Sequence, residues 1–235
     1  MECLYAEKLS NTTTQWTVEG DEFRHARALR LRIGNSVILS NGTGLCATAV
    51  VQSSSLQSYM LEITALHPNH NELPYSVHCA IGTLDDKERM EWLIEKAVEL
   101  GVSNISFLAT RYSSQTILKE SRLLAKSIAA MKQCKRAILP AIRTGVKLDE
   151  LLEQSVKNNM QCILASDHGA SPALLPKNTV VFIGPEGGFD ETEMQKIQSV
   201  HHISEWRLGA SRLRAETAAL AALSYIASQF STVHL

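Results

Sequence analysis

The chain has 235 residues, 45% of them hydrophobic and 20% charged, with a formal net charge of −1. That is an ordinary globular composition, long enough for one large domain or two modest ones, and any polyanionic partner has to be read from local patches. Five cysteines without a Cys-x-x-Cys argue against a disulfide framework or a zinc module and for a reducing, cytoplasmic setting.

No apolar run approaches the ~20 residues of a membrane helix. Met1–Tyr5 lacks the charged-then-apolar pattern of an export signal. Residues 1–70 read as one domain. Short strand-like runs at Ser36–Leu39, Ala47–Val51 and Tyr59–Thr64 are separated by Asn41-Gly42-Thr43-Gly44 and by Ser53–Ser55, which predicts a small β-barrel or sandwich. Gly42-x-Gly44-x-x-Ala47 fits a dinucleotide-binding fingerprint letter by letter, but that fingerprint needs a helix next and the following residues are strand-like, so a hairpin is expected. Ahead of it, Arg24, His25, Arg27, Arg30 and Arg32 fall within nine residues. Planar guanidinium forks suit phosphates and base edges, while a solvated amphipathic turn would need no partner. His67-Pro68-Asn69-His70-Asn71 reads as a linker. Its histidines, like His201-His202, have no companions at ligand spacing, so surface positions and no metal are expected.

From about residue 75 strands alternate with helices. Val77–Thr83 is strand-like. Asp85 or Asp86 caps a helix with Met90, Leu93, Ile94, Ala97 and Val98 on one face, and Gly101 ends it. A strand at Ile105–Ala109 precedes a long helix from about Leu118 to Arg136, then a shorter helix from Lys147 to about Asn158 and a strand at Cys162–Ala165. Lys119, Arg122, Lys126, Lys132, Lys135, Arg136, Arg143 and Lys147 form a second basic concentration. The apolar run Val180–Ile183 then stops at Gly184-Pro185-Glu186-Gly187-Gly188, with Asp190 and Glu193 spaced as an N-cap and its partner. A short strand around Trp206 and an Ala-rich helix from Arg214 to Gln229 finish the chain. This is the α/β pattern of a mostly parallel sheet covered on both faces, whose ligands sit at the carboxyl ends of the strands.

Two segments carry chemistry. The glycine loop lets a ligand approach the main chain. It has no Gly-Lys-Ser/Thr ending and no Rossmann spacing, so phosphate is not its expected ligand. Leu208-Gly209-Ala210-Ser211-Arg212-Leu213-Arg214-Ala215-Glu216-Thr217-Ala218 places Arg214 and Glu216 at the mouth of an Ala-rich helix, as site residues or as a capping pair.

Together with Ile183-Gly-Pro-Glu-Gly-Gly-Phe189, that segment resembles the RsmE family of 16S rRNA uridine-N3 methyltransferases, in the SPOUT (trefoil-knot) superfamily. Lys96-x-x-Glu99-Leu-Gly-Val102, the stretch from His25 through Arg30 to Gly34, and Ala130–Pro140 with Gln133 and Arg136 agree with it. Lys132 departs, since the family commonly has an acidic residue there. The resemblance implies a PUA-like β-barrel over residues 1–70 and a knotted SPOUT α/β domain over residues 75–235. It also implies a homodimer acting on 16S ribosomal RNA or the small ribosomal subunit. It implies S-adenosylmethionine on three loops: one after Leu164, one formed by Ile183, Gly184, Pro185, Glu186, Gly187 and Gly188, and one with Leu208, Gly209, Leu213 and Arg214. Arg214, Glu186 and Glu216 are the catalytic candidates. Arg214 is expected to stabilise the anion, while Glu186 or Glu216 takes the N3 proton or only orients Arg214 and the loop. Arg24, His25, Arg27, Arg30, Arg32, Lys132 and Arg136 are the expected RNA contacts. The competing readings are a SPOUT enzyme acting on another RNA position and a catalytically silent RNA-binding or ribosome-assembly factor.

Overall fold

The computed structural model describes residues 1–173, 177–200 and 203–229, so the pair His201-His202 lies outside the described residues. The chain divides into two compact units, Met1–Glu72 with Ile128–Leu139, and Leu73–Ser127 with the described residues from Pro140 onward.

The first unit is built on a five-stranded sheet of order β1-β3-β4-β5-β2: β1 (Glu2–Tyr5), β2 (Gln15–Val18), β3 (Ser36–Ser40), β4 (Leu45–Ser54) and β5 (Tyr59–Pro68). Only the β1–β3 pair is parallel. The turn at Gly42–Gly44 is the expected hairpin, since β3 and β4 pair antiparallel across it. β5 runs through His67 and Pro68, where the sequence suggests a linker. Pro68 is paired with Leu45, and the His67 ring lies 2.8 Å from the Thr48 hydroxyl. Helix α1 (Gly20–Ala28) buries Phe23 and Ala26 among Leu4, Val37, Leu39, Val51 and Leu61. The distant segment 128–139 completes this unit. The Gly44 N–H donates to the Ala137 carbonyl at 2.9 Å, and the Leu139 N–H to the Gly42 carbonyl at 2.8 Å.

The second unit holds a six-stranded, all-parallel sheet of order β11-β9-β10-β6-β7-β8. Its strands are β6 (Val77–Gly82), β7 (Asn104–Ala109), β8 (Ala141–Lys147), β9 (Gln161–Ala170), β10 (Thr179–Ile183) and β11 (Ile203–Trp206). β8 is not expected from sequence. Helices α2 (Lys87–Glu99), α4 (Leu148–Lys157), α5 (Glu191–Gln198) and α6 (Ala215–Ser228) belong here, while α3 (Glu120–Cys134) begins in this unit and ends in the first. Asp86 caps α2 by accepting from the Glu88 and Arg89 N–H groups, and α2 buries the expected stripe together with Glu91, whose carboxylate is paired with Arg122. Gly101, at φ +87, closes the helix in the backbone region that favours glycine. The Asp190–Glu193 capping box forms at α5.

Strand order fixes where the site can be. β10 enters between β9 and β6, so its carboxyl end opens in mid-sheet. β11 pairs with β9 beyond it, and α6 then returns to pack on α2, β6 and β10. The β9–β11 register jumps from Glu205↔Leu164 to Trp206↔Ala170, so residues 165–169 leave the ladder at that same end.

Candidate active site

Three segments converge on one cavity of about 580 Å³ at the carboxyl ends of β9, β10 and β11. The first is the bulge in β9, which contributes Ala165, Ser166 and Asp167. Leu164 itself is buried in the core beneath, so the first loop begins one residue after the position expected to bind. The second is the glycine loop, with Ile183, Gly184, Pro185, Glu186 and Gly188 on the wall. Gly187 is not on that wall. It packs against Tyr112, where a Cβ would lie 2.8 Å from the tyrosine Cβ. The third segment supplies Trp206, Leu208, Gly209, Leu213 and Arg214. Arg207 folds it back, its side chain donating to the Gly209 carbonyl at 3.3 Å.

The glycine loop is held from below. Gly82 ends β6 directly under it, and a Cβ built there would lie 2.4 Å from Pro185 Cδ. The Gly188 N–H donates to the Pro185 carbonyl at 2.9 Å, with Gly188 at φ +75.

The charged groups are arranged around Arg89, a residue sequence reasoning missed. Its Nη1 donates to Glu186 Oε1 at 2.7 Å and its Nε to Glu216 Oε1 at 3.0 Å, while Asp85 lies 3.3 Å away. Burial pushes the Glu216 carboxyl up, but the Arg89 guanidinium, the Glu216 backbone N–H and the Arg214 charge outweigh it and hold this group below the usual carboxylate range. Glu216 is 6% exposed and is not among the cavity-lining residues, so it is poorly placed to collect a proton from a bound base. Arg214 occupies the N-cap position just ahead of α6, without a side-chain capping bond, and is exposed at the cavity mouth, with no ion pair among the described residues. Arg89 and Arg214 also border a second, more open cavity of about 930 Å³, with Asp85, Lys87, Gln115 and Ile117.

In the first unit the arginine segment spans α1 and the turn after it. Arg24, Arg27, Arg30 and Arg32 are exposed and His25 half-buried; Arg24 pairs with Asp21, and Arg27 lies 5.8 Å from the Phe23 ring centre. Two of the expected RNA contacts are already paired with carboxylates. Arg136 is 2% exposed, and its Nη2 donates to Glu72 Oε2 at 2.6 Å. Lys132, with its side chain 13% exposed, donates to Glu22 at 2.6 Å. Both cations neutralise carboxylates inside their own unit, and desolvation makes breaking such pairs for a phosphate costly. Arg122 and Arg143 are likewise paired, with Glu91 and Glu150, so much of the second basic concentration is internally balanced. Among the described residues no group of three or more His, Cys, Asp or Glu could hold a metal ion, and no helix is long and apolar enough to cross a membrane.

Comparison with known proteins agrees with this architecture. The profile of the RNA methyltransferase domain matches residues 71–227, and that of the RNA methyltransferase PUA domain matches residues 18–63. The ribosomal RNA small subunit methyltransferase E of Bacillus subtilis is 28% identical over 233 residues, covering 91% of this chain and 90% of that protein. A probable rRNA-methyltransferase from Porphyromonas gingivalis has a solved structure with a TM-score of 0.85 at 26% identity, covering 99% of this chain and 100% of that one. Ribosomal RNA small subunit methyltransferase E from Neisseria gonorrhoeae, solved bound to S-adenosyl methionine, has a TM-score of 0.83 at 25% identity, covering 98% of each chain. The chain belongs to the RNA methyltransferase family, with a PUA-like β-domain ahead of an α/β domain of the SPOUT (trefoil-knot) fold.

Proposed function

We propose that this protein is an S-adenosylmethionine-dependent methyltransferase that modifies N3 of a uridine in small-subunit ribosomal RNA. The observation that carries this reading is the meeting of three loops at the carboxyl ends of β9, β10 and β11 around one cavity. The residues present suit the methyl donor. Gly184, Gly188 and Gly209 leave main chain accessible, Ile183, Leu208 and Leu213 are apolar, and Trp206 brings a buried indole N–H with no acceptor among the described residues. A few convergent polar groups in an apolar cleft is the usual make-up of a small-molecule site.

The bound donor supplies a methyl group on sulfonium sulfur. The residues of the chain position the acceptor nitrogen in line with it, and this positioning is most of the catalysis. The N3 proton leaves to a base, the freed nitrogen pair forms the new N–C bond, and the S–C pair stays with sulfur, giving a neutral thioether. Arg214, without an ion-pair partner among the described residues, donates to the carbonyl oxygens over which the uracil anion spreads. Glu186, on the cavity wall, is assigned the proton. Glu216, buried and off the cavity wall, is assigned an orienting role.

In this reading the first unit, over the expected domain of residues 1–70, holds RNA phosphates through Arg24, Arg27, Arg30 and Arg32. The domain expected over residues 75–235 carries out the transfer. The family resemblance further implies a cytoplasmic homodimer, which sedimentation equilibrium would detect as twice the chain mass. Calorimetry with S-adenosylmethionine tests the cavity. Saturable binding with one site per chain is expected, and no heat of binding at millimolar cofactor would defeat the reading.

A further inference from the structure

Arg89 lies outside every signature segment, in the first turn of α2, yet it holds both signature carboxylates. Glu186 comes from the glycine loop after β10 and Glu216 from the first turn of α6, 97 and 127 residues away along the chain. The two attachments differ in kind. Glu216 is buried and receives two N–H groups, Nε to Oε1 and Nη2 to Oε2, the forked geometry that only a guanidinium provides. The Glu186 side chain is 42% exposed and receives one N–H, on Oε1. Among the described residues its Oε2 accepts nothing. One end of the arginine is thus anchored and the other aims a carboxylate on the cavity wall.

We infer that Arg89 is the positioning residue of this site: anchored on Glu216, it sets the Glu186 carboxylate and the glycine loop that carries it against the methyl-transfer cavity. The inference rests on reading that cavity as the methyl-donor site. Arg89 acts through Glu186 and exchanges no proton itself. It explains why two charged motifs distant in sequence keep a fixed relation. The strand end at Gly82 supports the loop through Pro185, and Arg89 holds the same loop through the next residue.

The test uses Arg89→Met, Arg89→Lys, Glu186→Gln and the double variant Arg89→Met/Glu186→Gln in the full chain. Amide hydrogen exchange in the cofactor-free protein reads the loop without reference to activity. Arg89→Met is expected to speed exchange of residues 184–189 by about tenfold or more, with the far strands β7 and β8 unchanged. Arg89→Lys keeps the charge without the fork, and it covers the case in which Arg89→Met does not fold. It is expected to loosen the loop by an intermediate factor. In methyl transfer to small-subunit RNA, Arg89→Met should lower kcat by about 10- to 100-fold. The double variant should be no slower than the slower single variant, because residues acting as one unit lose activity once. Unchanged exchange of the loop in both Arg89 variants, or kcat losses that multiply, overturns the inference alone. A wild-type chain that binds no S-adenosylmethionine in calorimetry overturns it together with the proposed function.

Discussion

Replacing Gly82 by alanine is the smallest change that should disable the cavity without touching any charged group. A Cβ there would lie 2.4 Å from Pro185 Cδ, 2.5 Å from Pro185 N and 2.8 Å from Pro185 Cβ. Ordinary carbon contacts are about 3.5–4.0 Å, so one side must retreat by roughly 1 Å. Gly82 cannot move easily, because it is paired with Leu108 in the ladder between β6 and β7. The displacement therefore falls on Gly184-Pro185, the wall of the cavity. Overpacking of this kind costs about 1–3 kcal/mol. If the bound geometry needs the native loop, that cost corresponds to about a 5- to 150-fold rise in Kd. Whatever part is felt in the free protein lowers Tm instead, by roughly 2–4 °C for each kcal/mol in a chain of this size. Calorimetry with S-adenosylmethionine and thermal unfolding, run on wild type and Gly82→Ala, capture both shares. A Kd within twofold of wild type together with an unchanged Tm would refute the reasoning about this packing.

Other consequences can be checked as directly. Arg136→Met leaves Glu72 buried without its cation and should destabilise the first unit by about 3–5 kcal/mol in urea unfolding, whereas pairing it with an apolar replacement of Glu72 should recover much of that loss. Neutralising Arg27, Arg30 and Arg32 together should weaken RNA binding and flatten the slope of log K against log salt by about 0.7–0.9 for each phosphate no longer neutralised, and an unchanged slope would remove this patch from the interface. Burial, followed by the Arg143 charge, pushes the His78 imidazole down to about 4, with its Nε2 lying 2.9 Å from the Ser106 hydroxyl. Between that value and an unfolded pKa of about 6.5 the unfolded chain binds the extra proton, so stability falls as pH drops through this window, by up to about 3 kcal/mol. His78→Gln should remove most of that slope between pH 6.5 and 4, and an identical slope in the variant would contradict the assignment.

Where a local rule decided the structure, the sequence was readable. The Met90–Leu93–Ile94–Ala97–Val98 stripe, the Gly101 stop and the Asp190–Glu193 box are each set by residues within one or two helical turns, and all three form. The glycine loop and the Leu208–Arg214 segment were legible for the same reason, as runs of unusual composition. What escaped was non-local or too short to show a period. β1 and β2 have four residues each, and β8 is interrupted by Arg143, Thr144 and Gly145. Arg89 sits in a helix start of mixed charge, where nothing local marks partners 97 and 127 residues away. Lys132 and Arg136 show the converse case. A cluster of cations along the chain suggests a polyanion, but folding placed Glu22 and Glu72 beside them, burying Arg136 and leaving the Lys132 side chain only 13% exposed. Charge composition gives the inventory of cations, and only tertiary structure says which are already neutralised.

The most direct test of the account is transfer of a labelled methyl group from S-adenosylmethionine to small-subunit ribosomal RNA, free and as assembled particle, followed by digestion and mapping of the labelled nucleoside. The account predicts label in a single position as N3-methyluridine, with transfer reduced by about 10- to 100-fold or more in Arg214→Ala, where the donor to the developing anion is removed. Label on a ribose hydroxyl or on another base, or full transfer by Arg214→Ala, would contradict it.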